Sequence, residues 1–393
     1  MQYRLFLAVF VLVSLVFSAQ EREKEIQGVV ISKAKTQYKN KKENPAYAIM
    51  QEVWKHKKNN GLQKFNSYKY KEYEKIEFDV ANIDSAFMDR KIFKKMDFIF
   101  NYADSADNGK LALPVFLNEA VYHNFGQNAP NKKQKRLLVA QKTSGFQDNQ
   151  VVTLAAKNLY RDINIYDNII NYFDIGFQSP VSRDGFSTYD YKLIDTVFVR
   201  GQEVFKIQYQ PRRTDNLAFQ GNLFISVDHY SVVRATLRST KKMNVNFVNG
   251  IFTELDYDNP DEDTFLPAKV KTRIDFSPFS KNKKAKSLIA TRTVDFSDYE
   301  LNPQLSDADF QNRESELTAE FVKKDDAFWE TARTDSLSQS ERGIYEMLDR
   351  LEDTPKFQRI VKATETMASG YYNVGKAIDI GSIYSIYGRN DVE

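Results

Sequence analysis

The chain has 393 residues, 42% of them hydrophobic and 28% charged, which is too apolar for a disordered polypeptide and long enough for two or three domains at roughly 100–200 residues each. Its net charge is only +3, with acids and bases interleaved along most of the chain, so whole-protein electrostatics do not point to nucleic acid. The absence of cysteine excludes both disulfides and an N-terminal lipidated cysteine, and leaves stability to the core.

The first residues, MQYRLFLAVFVLVSLVFSAQ, set Arg4 before an apolar run from Leu5 to Phe17 and the small pair Ser18 and Ala19. That is the pattern of a secretory signal peptide over residues 1–19, cleaved after Ala19. The run is shorter than the about 20 apolar residues needed to span a bilayer. Residues 20–43 form a polar, Lys-rich lead or linker with one apolar cluster at Ile26 and Val29 to Ile31. Its run from Lys39 to Lys42 reads as a solvated segment.

ENPAYAIMQEVWKHKKNNG predicts a helix. Asn44 supplies the N-cap, Pro45 the first position, Ala46, Ile49, Met50, Val53 and Trp54 the apolar stripe, and Gly61 the close. His56 lies off that stripe among lysines and reads as a surface residue. From Phe65 the period changes to two. Tyr68, Tyr70, Ile76 and Phe78 then share one face of a long strand, with Lys and Glu mostly on the other. The segment from Phe93 to Phe125 predicts two extended runs joined by a turn at Asp107, Asn108 and Gly109, with His123 near the end of the second. Residues 129–146 and 148–163 then read as two helices separated by Gly145.

Between Ser187 and Leu301 come seven strand-length segments divided by turn residues: 187–199, 203–211, 221–228, 231–240, 244–257, 265–276 and 287–301. Short-looped strands without helices between them predict an antiparallel meander. The 22 Tyr and 29 Phe suit such a half-buried sheet. Asp228 and His229, which fall between two of these arms, read as the bend of a hairpin, because no nucleophile or metal partner lies beside them. Beyond Asn302 two amphipathic helices are expected, one carrying Ile344, Met347, Leu348 and Leu351 and the next carrying Phe357, Ile360 and Val361 after Pro355. The last stretch, from Ile378 to Tyr387, is an extended segment apolar on both faces.

The motifs that could carry chemistry fail on their context. Gly370 to Lys376 matches GxxxxGK, but Ala377 stands where a magnesium-binding hydroxyl is needed, and the segment follows a helix instead of a strand. Asp256, Asp258, Asp261, Glu262 and Asp263 lack the glycine and the closing glutamate of a calcium loop and read as a solvated acidic turn. Hydrolase, zinc-protease and dithiol signatures are absent. Carboxylate pairs assembled by the fold leave no spacing signature, so glycosidase-type chemistry stays open.

The blocks NPAYAIMQEVWKHKKNN, SYKYKEYEKIEFDVANI, RKIFKKMDFIF, LPVFLNEAVY, NIYDNII, GFQSPVS, FQGNLFISVD and ERGIYEMLDRL, in that order, resemble a domain-of-unknown-function family of exported outer-membrane proteins of Bacteroidetes. That family is often catalogued beside a carboxypeptidase-like regulatory domain, a name that implies no peptidase here. The resemblance implies a periplasmic region, helix plus β over residues 44–301 and helical over 302–370, with residues 371–393 leading into an outer-membrane β-barrel that the chain does not contain. The segment from Val204 to Arg238 is also similar to the sheet of periplasmic lipoprotein carriers, an analogy of fold alone.

The expected fold is therefore α+β, mainly antiparallel β, with a curved carrier-like meander sheet and flanking helices. The expected function is non-enzymatic: the periplasmic part of an outer-membrane barrel protein of a Gram-negative bacterium, acting in assembly, transport or binding. A soluble periplasmic lipid or lipoprotein carrier and an unrecognised hydrolase are the alternatives. No catalytic, cofactor-binding or metal-ligating residue is assigned. Phe205, Ile207, Phe224 and Ile225 are the candidates for an apolar ligand face that would meet a lipid or lipoprotein partner, and nucleic acid is not expected.

Overall fold

A computed structural model describes residues 43–94, 96–105, 111–145, 162–173, 175–213, 216–240, 248–260, 263–276, 286–311, 323–334, 339–359, 372–374 and 378–380. The signal sequence, residues 20–42 of the linker, the turn at Asp107 to Gly109, nearly all of the helix expected over 148–163, and Ile383 to Tyr387 lie outside them.

The central element is an eleven-stranded sheet in which every paired neighbour runs antiparallel. Its strands are β1 (Ser67–Ile83), β2 (Asp104–Ser105), β3 (Leu111–Gln127), β4 (Lys133–Gly145), β7 (Tyr189–Val199), β8 (Gln202–Pro211), β9 (Phe219–Ser226), β10 (Val232–Ser239), β11 (Val248–Asp258), β12 (Leu266–Phe276) and β13 (Ser287–Leu301). Between β4 and β7 a separate hairpin forms from β5 (Ile169–Tyr172) and β6 (Ile175–Gln178). Strands β7 to β13 pair in chain order, as the meander reading expects, and Asp228 and His229 sit in the β9–β10 turn. β1 then pairs with β13 on one side and β3 on the other, and both β2 and β4 pair with β3.

Helix Pro45–His56 begins as its sequence predicts, with the Asn44 side chain accepting from the Ala46 N–H at 3.1 Å. The same side chain donates to the Tyr191 carbonyl at 2.8 Å, so the cap also ties the helix to β7. Ala46, Tyr47, Ile49, Met50 and Val53 are buried, whereas Trp54, expected on that stripe, is 37% exposed. Residue 54 turns far enough from the sheet for Arg183 to lie over its ring.

One face of the sheet, its inner face, is filled by this helix and by the β5–β6 hairpin. Tyr191, Ile207, Leu223, Leu237, Leu255 and Ile274, each from a different strand, join a single apolar cluster with Met50 and Val53 of the helix and Tyr172 and Phe177 of the hairpin. Phe177 stacks on Phe219 at 4.7 Å, and the Tyr172 hydroxyl lies 2.6 Å from the Thr253 hydroxyl. Burial on this scale is the main stabilising force of the fold.

The outer face is covered over β1, β3 and β4 by two helices, Asp326–Ala332 and Gln339–Glu352. Trp329 and Ala332 pack on Tyr73, Val121 and Ala140, while Met347, Leu348 and Leu351 pack on Ile83, Leu113 and Leu117. The amphipathic helix expected around Ile344 to Leu351 is thus present, with Met347, Leu348 and Leu351 of its stripe buried and Ile344 partly buried.

Two expectations are corrected. Residues 133–145, expected to be helical, form β4, because pairing along β3 from Phe116 to Gln127 outweighs the weak helical preference of KQKRLLVAQK. Residues 97–102, expected to be extended, form a 3₁₀ turn that buries Ile99, with Met96 just before it also buried, so only Asp104–Ser105 remains of the first hairpin arm.

Both sheet edges are blunted. On β7 a bulge lies between Leu193 and Asp195, and the Asp195 carboxylate accepts from the Thr196 N–H at 2.9 Å. On β4, Lys133 pairs with Asp307, Lys135 donates to the Gln311 carbonyl at 2.8 Å, and Lys142 pairs with Asp326 at 3.1 Å.

A Cβ on Gly221 of β9 would stand 1.9 Å from the Thr236 carbonyl oxygen of β10. Gly221→Ala is therefore expected to lose roughly 1–3 kcal/mol in urea unfolding. An unchanged midpoint would contradict that close approach.

Candidate functional site

Where the inner face crosses β1 its chemistry changes from apolar to charged. Period-2 alternation puts Glu72 and Glu74 on the same side as Tyr68, Tyr70, Ile76 and Phe78, and both are buried there. Arg292 of β13 stands across from Ile76, and Arg136 of β4 stands two strands away. Arg292 Nε donates to Glu74 at 2.6 Å, with Glu72 at 3.7 Å and Asp162 at 3.4 Å from its Nη2. Arg136 grips Glu72 with two nitrogens, at 3.1 and 2.6 Å, and approaches Glu74 at 3.6 Å. Asn124 adds a third donor to Glu72 at 3.0 Å.

Two carboxylates are therefore shared between two guanidiniums. Although burial opposes their charge, the carboxylates hold the Arg136 and Arg292 guanidiniums above their ordinary pKa. Arg136 also lies over the Tyr122 ring, 3.4 Å from its centroid, and burial followed by the Glu74 charge pushes the Tyr122 hydroxyl up to about 12. Each of the two acids thus has a guanidinium nitrogen 2.6 Å from one of its oxygens. Among the described residues no group of three or more His, Cys, Asp or Glu side chains is arranged to hold a metal ion. Asp256 and Asp258, expected in a solvated acidic turn, instead lie in β11, where pairing with β12 carries the strand through Asp258; Asp256 is buried, and the two are engaged by Arg234 and Arg200 respectively.

A second buried carboxylate site, centred on Glu119 of β3, lies on the outer face, and Glu119 has no exposed surface. Arg333 donates two bonds to it, each 2.7 Å, and the Tyr73 and Tyr345 hydroxyls donate as well. Burial alone would raise this carboxyl, but the bonds from Arg333, Tyr345 and Tyr73 reverse that and leave it below its ordinary value.

Of the four residues proposed for an apolar face, Phe205, Ile207 and Ile225 share the inner face, with Phe205 paired opposite Ile225. Ile207 and Ile225 have no exposed surface, and Phe205 stacks on Tyr230 with centroids 6.5 Å apart. Phe224 points to the outer face, where Lys206 lies over its ring at 5.8 Å. His56 stacks on Tyr230, and His123 is exposed on β3. The charged cluster was not singled out from the sequence. The shared face of Glu72 and Glu74 was legible in the period, but their partners lie 64 and 218 positions away.

Removing Arg292 would leave Glu74 buried without its closest cation. Arg292→Met is expected to lose about 3–5 kcal/mol, and Arg136→Met less because Arg136 is half-exposed, both read from urea unfolding at pH 7. On the outer side of β1, Asp79 is pushed up to about 7, by burial first and then by Glu77, against the pull of Arg273 and Lys75. A carboxyl raised in the folded state binds its proton more tightly there, so stability falls as pH rises through about 7. Asp79→Asn should raise Tm at pH 8, with the gain vanishing below about pH 4, and equal Tm values at pH 8 would refute the shift.

Solved structures similar to this chain include a DUF1329 family protein from Desulfovibrio piger, 12% identical, spanning 68% of this chain and 98% of that one, with TM-score 0.27. A LolA superfamily protein from Nitrosomonas europaea is 8% identical over 68% and 97%, with TM-score 0.24. The MucA/MucB complex of Pseudomonas aeruginosa is 9% identical over 66% and 100%, with TM-score 0.19. These TM-scores are too low to carry an argument about function. No curated protein matches the chain. The model of one sequence family, described as a Family of unknown function (DUF5686), matches residues 49–293, and the chain belongs to that family.

Proposed function

We propose that the chain is a non-enzymatic cell-envelope module, the periplasmic part of an outer-membrane barrel protein of the Bacteroidetes type, acting in assembly or binding. The observation that carries this reading is the filled inner face. Helix Pro45–His56 and the β5–β6 hairpin occupy the side of the meander that a lipid carrier would keep open, and Ile207 and Ile225 are packed there with no exposed surface. The Glu72 and Glu74 pair supports the non-enzymatic part, since both acids are spent on Arg136 and Arg292. Export is supported by the pattern of residues 1–19. No helix among the described residues is long and apolar enough to cross a membrane, which bears on helices and not on barrel strands.

Two measurements test the reading. Antiserum raised to residues 66–300 should detect, in fractionated source cells, a heat-modifiable outer-membrane band larger than a 393-residue chain; a soluble band of that chain's own mass would overturn the barrel assignment. Native mass spectrometry of the purified protein should give the polypeptide mass alone, and a retained acyl-chain adduct would instead establish the carrier.

A further inference from the structure

The two outer helices are joined to the sheet by one shared charge. Arg333 directly follows helix Asp326–Ala332, and Tyr345 lies in helix Gln339–Glu352, yet both bind Glu119, which the sheet keeps fully buried. The surroundings tighten the arrangement: the Arg333 guanidinium lies over Trp329 at 5.7 Å, and Lys142 lies over Tyr345 at 4.7 Å while pairing with Asp326. Ser144 of β4 donates to Asp349 of the second helix at 3.0 Å. Lys356 donates to the carbonyls of Lys91 and Lys94, at 3.1 and 2.9 Å, fastening the segment that follows.

A carboxylate in a dry site tolerates no half-matched state, because losing one donor leaves its charge desolvated without compensation. If the first helix lifted alone, Glu119 would keep only hydroxyl donors. If the second lifted alone, Glu119 would lose Tyr345 and the apolar wall of Leu348 and Leu351 beside Leu117. We infer that helix Asp326–Ala332, with Arg333, and helix Gln339–Glu352 are released from the outer face and docked on it as one unit, a strap with Glu119 as its pin. When it lifts, it uncovers a groove of Tyr73, Val121, Ala140 and Leu117 around an ionised carboxylate.

Hydrogen–deuterium exchange of the full chain, read peptide by peptide, tests this. In the wild type, 326–332 and 339–352 should exchange through one common opening, faster than 189–276. Glu119→Gln should speed exchange at least tenfold and by the same factor in both helices, with 189–276 unchanged. Trp329→Ala, which loosens only the packing of the first helix, should accelerate the second equally. Different opening rates for the two helices, acceleration of one alone in either variant, or equal acceleration of 189–276 would each overturn the single-strap inference.

Discussion

Everything else in this structure depends on the backbone ladder that sets β1 between β13 and β3. Those pairings join the beginning of the folded chain to the last strand of the meander, across more than two hundred residues. Without them Arg292 would not reach Glu74, and Glu119 would have no Tyr73 beside it. Such non-local pairing closes a long loop before it returns any burial, so the β1–β13 seam carries a loop-closure cost that the local hairpins of the meander escape.

The seam also explains why carboxylates are buried on both sides of one strand pair. Glu72 and Glu74 face inward, and Glu119, in the strand alongside, faces outward. Each site sets buried acids against guanidinium donors, an arrangement that costs more than apolar packing and restricts what can lie opposite. At the inner site the partners come from β4 and β13; at the outer site they come from the helical layer. Both sets specify which elements may meet.

Local patterns carried much of this into the sequence. The helix at Pro45, the seven meander strands, the bend at Asp228 and His229 and the stripe from Ile344 to Leu351 each rest on a period or a cap within a dozen residues, and all were legible. β4 was not, because KQKRLLVAQK has no strand alternation of its own and takes its form from β3. The segment 97–102 was misread because its run of aromatics suits a strand as well as a 3₁₀ turn. The charged site was half legible: the period gave Glu72 and Glu74 a common face, but nothing local announces a guanidinium from β13.

The blunted edges have a consequence beyond this molecule. An open antiparallel sheet offers a template to any unpaired strand that drifts against it. Here the bulge in β7, the Asp195 carboxylate on the Thr196 N–H, the Asn44 amide on the Tyr191 carbonyl and the engaged lysines of β4 interrupt that template on both sides. A sheet finished in this manner leaves a drifting strand few open main-chain positions on either edge, so it resists joining edge to edge with a second sheet.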